Sequence, residues 1–293
     1  MYPSRLRLAT IALAAVLVAA CSGSASAPSP TPDPSPTEES LLLRLTTTQA
    51  LPPMEQFGWG FSVAITSGGV VVAPGAVPAI YPGPLLMPLW GRQLTENGWA
   101  KIVARAKALG LLVQDGNFAG DAAMPGAALG RIDIFADGRT WTITGDPNSQ
   151  IMCITTPCDP GPGTPPAFGS FWRAVSDLAA WMPGDLGKEA PYRPGAFALL
   201  IGPAPVAEAG VMPGIADWPL DAALATFGDP VANTGRRCAI VAGADADALR
   251  PALEAANQLT QWVQDPSTSA SFGLQIRSLL PGENTCRDLF GLG

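Results

Sequence analysis

Not one of the 293 residues is histidine. That gap removes the general base of Ser-His-Asp and Cys-His catalysis. It also removes the HExxH metalloproteases and every histidine metal site. Lysine occurs only at positions 101, 107 and 188, and none is the fourth residue of an S-x-x-K motif. Glycine-rich phosphate loops and the GxSxG nucleophile elbow are absent as well. Charge of either sign is scarce, at 14 % of residues, and the net balance is -7. An acidic chain with no basic run lacks the electrostatic footprint that nucleic acid requires.

What the chain does have begins at its start. Arg5 and Arg7 precede an apolar run from Leu8 to Ala20, which ends at Cys21. A basic opening, a short apolar stretch and small residues before a cut site describe an export signal. The run is too short for a membrane span, which needs roughly 20 apolar residues. Val18-Ala19-Ala20-Cys21 resembles the lipobox of bacterial lipoproteins, the motif that signal peptidase II cleaves before a lipid-modified cysteine. That resemblance, confined to residues 1–21, implies removal of 1–20 and a palmitate-bearing anchor on Cys21. The implied address is the extracytoplasmic face of a cell membrane. Ser22, where an Asp would retain the protein at the inner membrane, permits an outer membrane if the host has one. Without Arg5 and Arg7 the net charge becomes about -9.

Residues 21–40 form a Pro/Ser-rich tether, with proline at 28, 30, 32, 34 and 36 and hardly a large apolar side chain. Such a segment cannot offset its ordering entropy by burial, and its prolines favour an extended spacer. The remaining body, 41–293, is rich in apolar residues (47 % of the whole chain) and is punctuated by the 31 prolines and 32 glycines. It resembles uncharacterised exported proteins of high-GC bacteria, a likeness that carries no activity.

Five cysteines less Cys21 leave Cys153, Cys158, Cys238 and Cys286. In an exported protein that even number predicts two disulfides, with three pairings open. Cys153–Cys158 and Cys238–Cys286 is the favoured one. Chain entropy gives about 2 kcal/mol for the short loop and about 4 for the long one. Four cysteines without a histidine do not argue for zinc, and no cofactor is expected.

The body reads as α+β: antiparallel β-hairpins with helices packed on one face. Leu41–Thr47 is the opening strand. A hairpin follows, with Ser67-Gly68 as its loop, Ile65 facing Val70 and Val63 facing Val72. A second runs from Arg131 to Thr144 around Asp137-Gly138, a type I′ signal that pairs Ile134 with Trp141 and Ile132 with Ile143. A helix is predicted after each: Thr95–Leu109, capped by Thr95 and ended by Gly110, and Ser170–Met182. The repeat suggests a duplicated ββα unit and allows subdomains 41–188 and 189–293. Further on, the pattern predicts a doubly covered strand at Ala196–Ile201 and a short helix at Pro219–Phe227. Cys238–Val241 is a strand, and a long helix runs from Asp245 or Asp247 to Val263. In the strand Ser271–Arg277, Phe272, Leu274 and Ile276 point inward and Gln275 and Arg277 outward.

Carboxylate chemistry survives these exclusions, since two acidic side chains suffice for glycoside hydrolysis. Asp115, Asp121, Asp146, Asp159 and Asp185 fall in irregular segments, each first a turn residue and only second a catalyst. Asp115-Gly116-Asn117 with Gly120-Asp121 faintly resembles an oxygen-ligand loop, but the twelfth position from Asp115 is Gly126 rather than the Glu an EF-hand needs. Of the tryptophans, 99, 141, 172, 181 and 262 fall on apolar faces and belong to the core. Trp59, Trp90 and Trp218 stand at element edges and are the candidates for a binding surface, with Tyr81 and Tyr192 in similar loops. The reading is therefore a non-enzymatic binding or interaction module. Its partners are the bilayer, through Cys21, and an envelope protein or glycan. The alternative is a carboxylate-dependent hydrolase of envelope glycan, which two facing carboxylates in a deep cleft would favour.

Overall fold

The computed structural model describes residues 39–48, 57, 58, 60–118, 128–149, 160–206, 210–264 and 270–289. All of them belong to one compact unit, Glu38–Gly293. The export signal, Cys21 and nearly all of the tether lie outside the described residues, as do Cys153, Cys158, Trp59, Asp121 and Asp159. Among the described residues no helix is long and apolar enough to cross a membrane.

The architecture is α+β, built on two mostly antiparallel sheets. The first contains β1 (Leu41–Thr48), β2 (Val63–Thr66), β3 (Val70–Pro74), β4 (Leu89–Gln93), β5 (Gly116–Phe118), β6 (Leu129–Ala136), β7 (Arg139–Gly145) and β8 (Ala190–Pro191). Its order is β5-β7-β6-β1-β2-β3-β4-β8, with only β5 and β7 parallel. From Leu43 onward strand β1 alternates: Leu43 and Leu45 are fully buried on one face and Arg44 lies on the other, whereas a register shift between Leu41 and Leu43 breaks the alternation before it.

Helices α1 (Glu96–Ala108), α2 (Pro165–Ser176) and α3 (Leu178–Trp181) contribute to the core on the Leu43/Leu45 face. Thr95 caps α1 by accepting a hydrogen bond from the Gly98 amide, and Gly110 takes φ +68° just past its end. Helix α2 begins at Pro165, five residues before the predicted Ser170. Paired prolines at its first two positions suit a helix start, where no amide partner is needed. The segment then breaks at Asp177, whose side chain caps α3 through the Ala180 amide. The close fit of α2 depends on glycine. A Cβ at Gly145 would sit 2.6 Å from the Phe168 ring, and one at Gly130 2.7 Å from Trp172. Phe168 and Trp172 stack with centroids 5.9 Å apart.

The Arg131–Thr144 hairpin has the predicted register throughout, with Asp137 and Gly138 both at positive φ. The first hairpin does not. Ile65 pairs with Val71 and Ala64 with Val72, so the loop is one residue longer than Ser67-Gly68. Gly69, at φ +76°, supplies the extra left-handed position, and the Thr66 side chain closes the turn on the Val70 amide.

The second sheet contains β9 (Ala196–Pro203), β10 (Ile215–Asp217), β11 (Asp229–Val231), β12 (Arg236–Ala242), β13 (Gln261–Val263) and β14 (Phe272–Ser278), in the order β10-β13-β14-β9-β12-β11. Strand β9 is central and buried on both faces, as its continuous apolar run predicts. On one face Phe197, Leu199 and Ile201 meet helix α4 (Gly243–Ala255) through Leu249 and Leu253. On the other, Ala198 and Leu200 meet Phe57, Leu279 and Leu289. Leu289 ends the short helix α5 (Cys286–Leu289), which the Cys238–Cys286 disulfide joins to β12.

Three predictions fail in this half. Pro219–Phe227 forms turns rather than a helix. The Leu224 amide donates to the Gln264 side chain, and Trp218 Nε1 donates to the Ala222 carbonyl. Helix α4 starts at Gly243 with no side-chain cap, ahead of the predicted Asp245 or Asp247, and stops at Ala255, not Val263. Asn257 and Thr260 exchange side-chain and backbone hydrogen bonds in a tight turn, which releases Gln261–Val263 into β13. Arg277 leaves the Leu274/Ile276 face as predicted but is not exposed. It is 9 % accessible and pairs with buried Glu283.

Candidate binding cleft between the two sheets

The chain after β14 turns back toward the first sheet. Leu280 packs against Ala64, Val72 and Leu89. Glu283, three residues further, is buried and accepts hydrogen bonds from the Leu280 amide, Arg277 and Arg44. Arg44 also reaches Asp133 at 3.3 Å, and Asp133 in turn accepts from Arg131 and from the Thr142 hydroxyl. A continuous line of charge, Arg131–Asp133–Arg44–Glu283–Arg277, therefore joins β6 and β1 of one sheet to β14 of the other. Burial alone would raise the pKa of Asp133. The hydrogen bonds from Arg131 and Thr142, with the charges of Arg131 and Arg44, outweigh it and hold the carboxyl below its ordinary value.

Beside this line lies a cleft of about 800 Å³. Phe61, Leu85, Met87, Leu89, Leu274 and Ile276 give it apolar walls, and Thr46, Gln258, Gln275 and Arg277 are its main polar members. No described lining residue is acidic. The Thr46 hydroxyl is buried and makes no hydrogen bond, although burying a hydroxyl unpaired is costly. Strand β13 meets β14 only at Trp262 and Phe272. Among the described residues, no other strand pairs with positions 274–278 on the side away from β9.

The β3–β4 connection roofs the cleft. Leu85 donates its amide to the Ala256 carbonyl, Gly83 accepts from the Gln258 amide, and Leu85 is buried in the core under α4. The middle of the connection faces outward: Val77, Ile80 and Tyr81 are 37, 64 and 58 % exposed. Tyr81 precedes a cis proline.

The predicted surface aromatics divide. Trp90, 36 % exposed, lies over Gly75, where a Cβ would collide with its Nε1. Trp218 is not a surface residue. It is 6 % exposed and packs edge-on against Trp262. A tryptophan that donates its N–H to a carbonyl satisfies its only polar atom, so the whole ring can enter the core. Trp59 lies outside the described residues, but its neighbours Gly58 and Gly60 both line the cleft. Tyr192 is partly buried near Ala64 and Leu89. Trp99, Trp141 and Trp181 pack partly buried against the first core, Trp172 belongs to it, and Trp262 is fully buried in the second.

The acidic candidates do not converge on the cleft. Asp115 accepts from the Thr142 amide and pairs with Arg139, and Asp146 caps its own turn at Asn148. Asp185 is buried against the start of α1, where Lys101, Thr95 and Asn97 all donate to it. The Lys101 ammonium and the Thr95 hydroxyl lead in holding its carboxyl below the usual range. Gly116–Phe118, read as part of an oxygen-ligand loop, is strand β5. Among the described residues no group of three acidic or cysteine side chains is placed to hold a metal ion.

Sequence reasoning missed Thr46, Arg277 and the cleft itself. One signal pointed there: from Gln56 to Gly91, 36 residues pass without a single charged side chain. That stretch supplies Phe61, the roof and most of the apolar wall. No family model matches the chain, and no curated protein or solved structure matches it either.

Proposed function

We propose that this protein is a membrane-anchored, extracytoplasmic binding module that holds a small molecule in the cleft between its sheets. The observation that carries the reading is the cleft: a concave site of ligand size, mostly apolar, with a few convergent polar groups. The lipobox-like ending at Cys21 and the proline-rich tether support display on a lipid surface. A hydrolase acting through paired carboxylates draws no support from the described lining, which contains none.

The test uses the chain from Ser22 onward, purified with its disulfides, so that every described element is kept. It is incubated with aqueous and organic extracts of bacterial envelope and examined by native mass spectrometry. A saturable one-to-one adduct is expected, and Gly60→Leu is expected to abolish it. A Cβ at Gly60 meets only the Arg277 side chain, at 3.7 Å, and the backbone there accepts an L residue. No adduct, or one indifferent to Gly60→Leu, refutes the cleft as the site. For the anchor, intact-mass analysis of membrane-extracted protein should find acyl chains on Cys21; a bare thiol refutes it.

A further inference from the structure

We infer that the cleft takes a short, extended, uncharged peptide, which adds as a strand to the open edge of β14 at Leu274, Ile276 and Ser278. This rests on reading the cleft as the binding site and adds the class of ligand. Every residue from Leu274 to Ser278 lines the cleft. Their side chains alternate: Leu274 and Ile276 join the core under α4, and Arg277 turns the other way to Glu283. Only the edge of the strand is common to all of them, so the cleft runs along that edge. The ladder with β9 says which backbone groups face it. Ser278 lies opposite Phe197, and the next residue, Leu279, donates its amide to the Ala196 carbonyl. Backbone groups alternate in direction along an antiparallel strand, so those of Gln275, Arg277 and Leu279 point to β9 and those of Leu274, Ile276 and Ser278 point to the cleft side. Phe272, in the same phase, is the residue that meets β13. Beyond it, Leu274, Ile276 and Ser278 each offer an N–H and a C=O that no other strand takes up among the described residues. Such a row is a template for another backbone.

The other sheet edges are blunted. Strands β8 and β11 carry Pro191 and Pro230, and β5 and β10 are 3 residues long. The open stretch of β14 contains no proline and runs for about 17 Å at strand rise. Thr46 and Thr47 of β1 and Leu85 and Met87 of the β3–β4 connection line the same cleft. A lone strand can enter between them, whereas the edge of a second folded copy cannot. The lining mixes apolar and polar side chains, as the two faces of a peptide strand would meet. Its one described charge, Arg277, is already held by Glu283. An ionised guest side chain would lose water there without gaining a partner, so the guest is uncharged.

The probe is a pool of capped hexapeptides made from uncharged residues other than proline, added to the chain from Ser22 onward. Native mass spectrometry should pick out one-to-one binders. Amide exchange followed by NMR should slow at Leu274, Ile276 and Ser278, with Gln275 and Arg277 protected already in the free protein. The tightest binder is then made with N-methyl groups on alternate amides, in each of the two phases. One phase should weaken binding by at least about tenfold, the worth of two or more hydrogen bonds, and the other by less than about twofold. Ser278→Pro removes one cleft-facing N–H and no bond to β9, and should weaken the peptide by about 2- to 10-fold. If that variant fails to fold, the two N-methyl peptides still decide. Equal losses in both phases, no loss in either, or protection that misses Leu274, Ile276 and Ser278 overturns strand addition. A dimer that protects those same amides without peptide overturns it in favour of self-pairing. If no peptide of the pool binds, the ligand class falls, and the cleft survives as a site only where the envelope extracts still give an adduct that Gly60→Leu abolishes.

Discussion

At the scale of single residues, the charges that matter are those removed from water. Asp133 is held ionised by Arg131, Thr142 and Arg44, and its folded pKa lies below the ordinary 3.8. As pH falls through that ordinary value, the unfolded chain takes up a proton that the folded chain still refuses. Stability is therefore fully present above about pH 5 and declines as pH drops toward the folded pKa. Urea midpoints measured from pH 7 down to pH 3 should show this decline. Asp133→Asn should lower the midpoint at pH 7 and flatten the fall below pH 4. An unchanged acid limb would mean that Asp133 is not coupled to folding. Arg277 shows why such residues were illegible in advance. Alternation along β14 located its face correctly, but alternation cannot say whether a second layer covers that face.

At the scale of elements, local chemistry was readable wherever it was self-sufficient. Asp137-Gly138 determines its own hairpin, because both residues tolerate positive φ and the flanking residues alternate. Thr95 and Gly110 bound α1 for similarly local reasons. The failures have distant causes. The Ser67-Gly68-Gly69 run offers two glycines for one left-handed position, so the register was ambiguous by one residue. Pro219–Phe227 has the spacing of a helix but is too short to resist Gln264, which takes its amide at Leu224. The end of α4 was hidden because Leu259 and Val263 continue a helical period that the Asn257–Thr260 turn interrupts. The packing of α2 on the first sheet yields a sharp expectation. Gly145→Ala places a methyl group inside the Phe168 ring's contact distance and should cost about 1–3 kcal/mol. Phe168→Leu in the same chain should recover part of that loss in a double-mutant cycle, whereas additive losses would show that the two sites do not touch.

At the scale of the whole molecule, the fold class was legible but the cleft was not. Hairpins and helices announce α+β from their periods. A cavity between sheets depends on how the sheets are joined, and that join is made by residues far apart in sequence, such as Arg44 and Glu283. The disulfide acts at this scale too. Cys286→Ala opens a loop of sequence separation 48, and chain entropy alone predicts a loss of about 4 kcal/mol, readable in denaturant titrations. An unchanged midpoint would mean that the segment after β14 is already held by Leu280 and Glu283 alone.

Cys286 follows Glu283 by three positions, so the covalent staple sits at the end of the very segment that clasps one sheet to the other. Oxidation thus secures more than α5: it fences in the short stretch on which the buried ionic clasp depends. A reduced copy would retain both sheets and leave the join between them to Leu280 and the Glu283 ion pairs alone. The protein's working shape is completed only once that bond has closed.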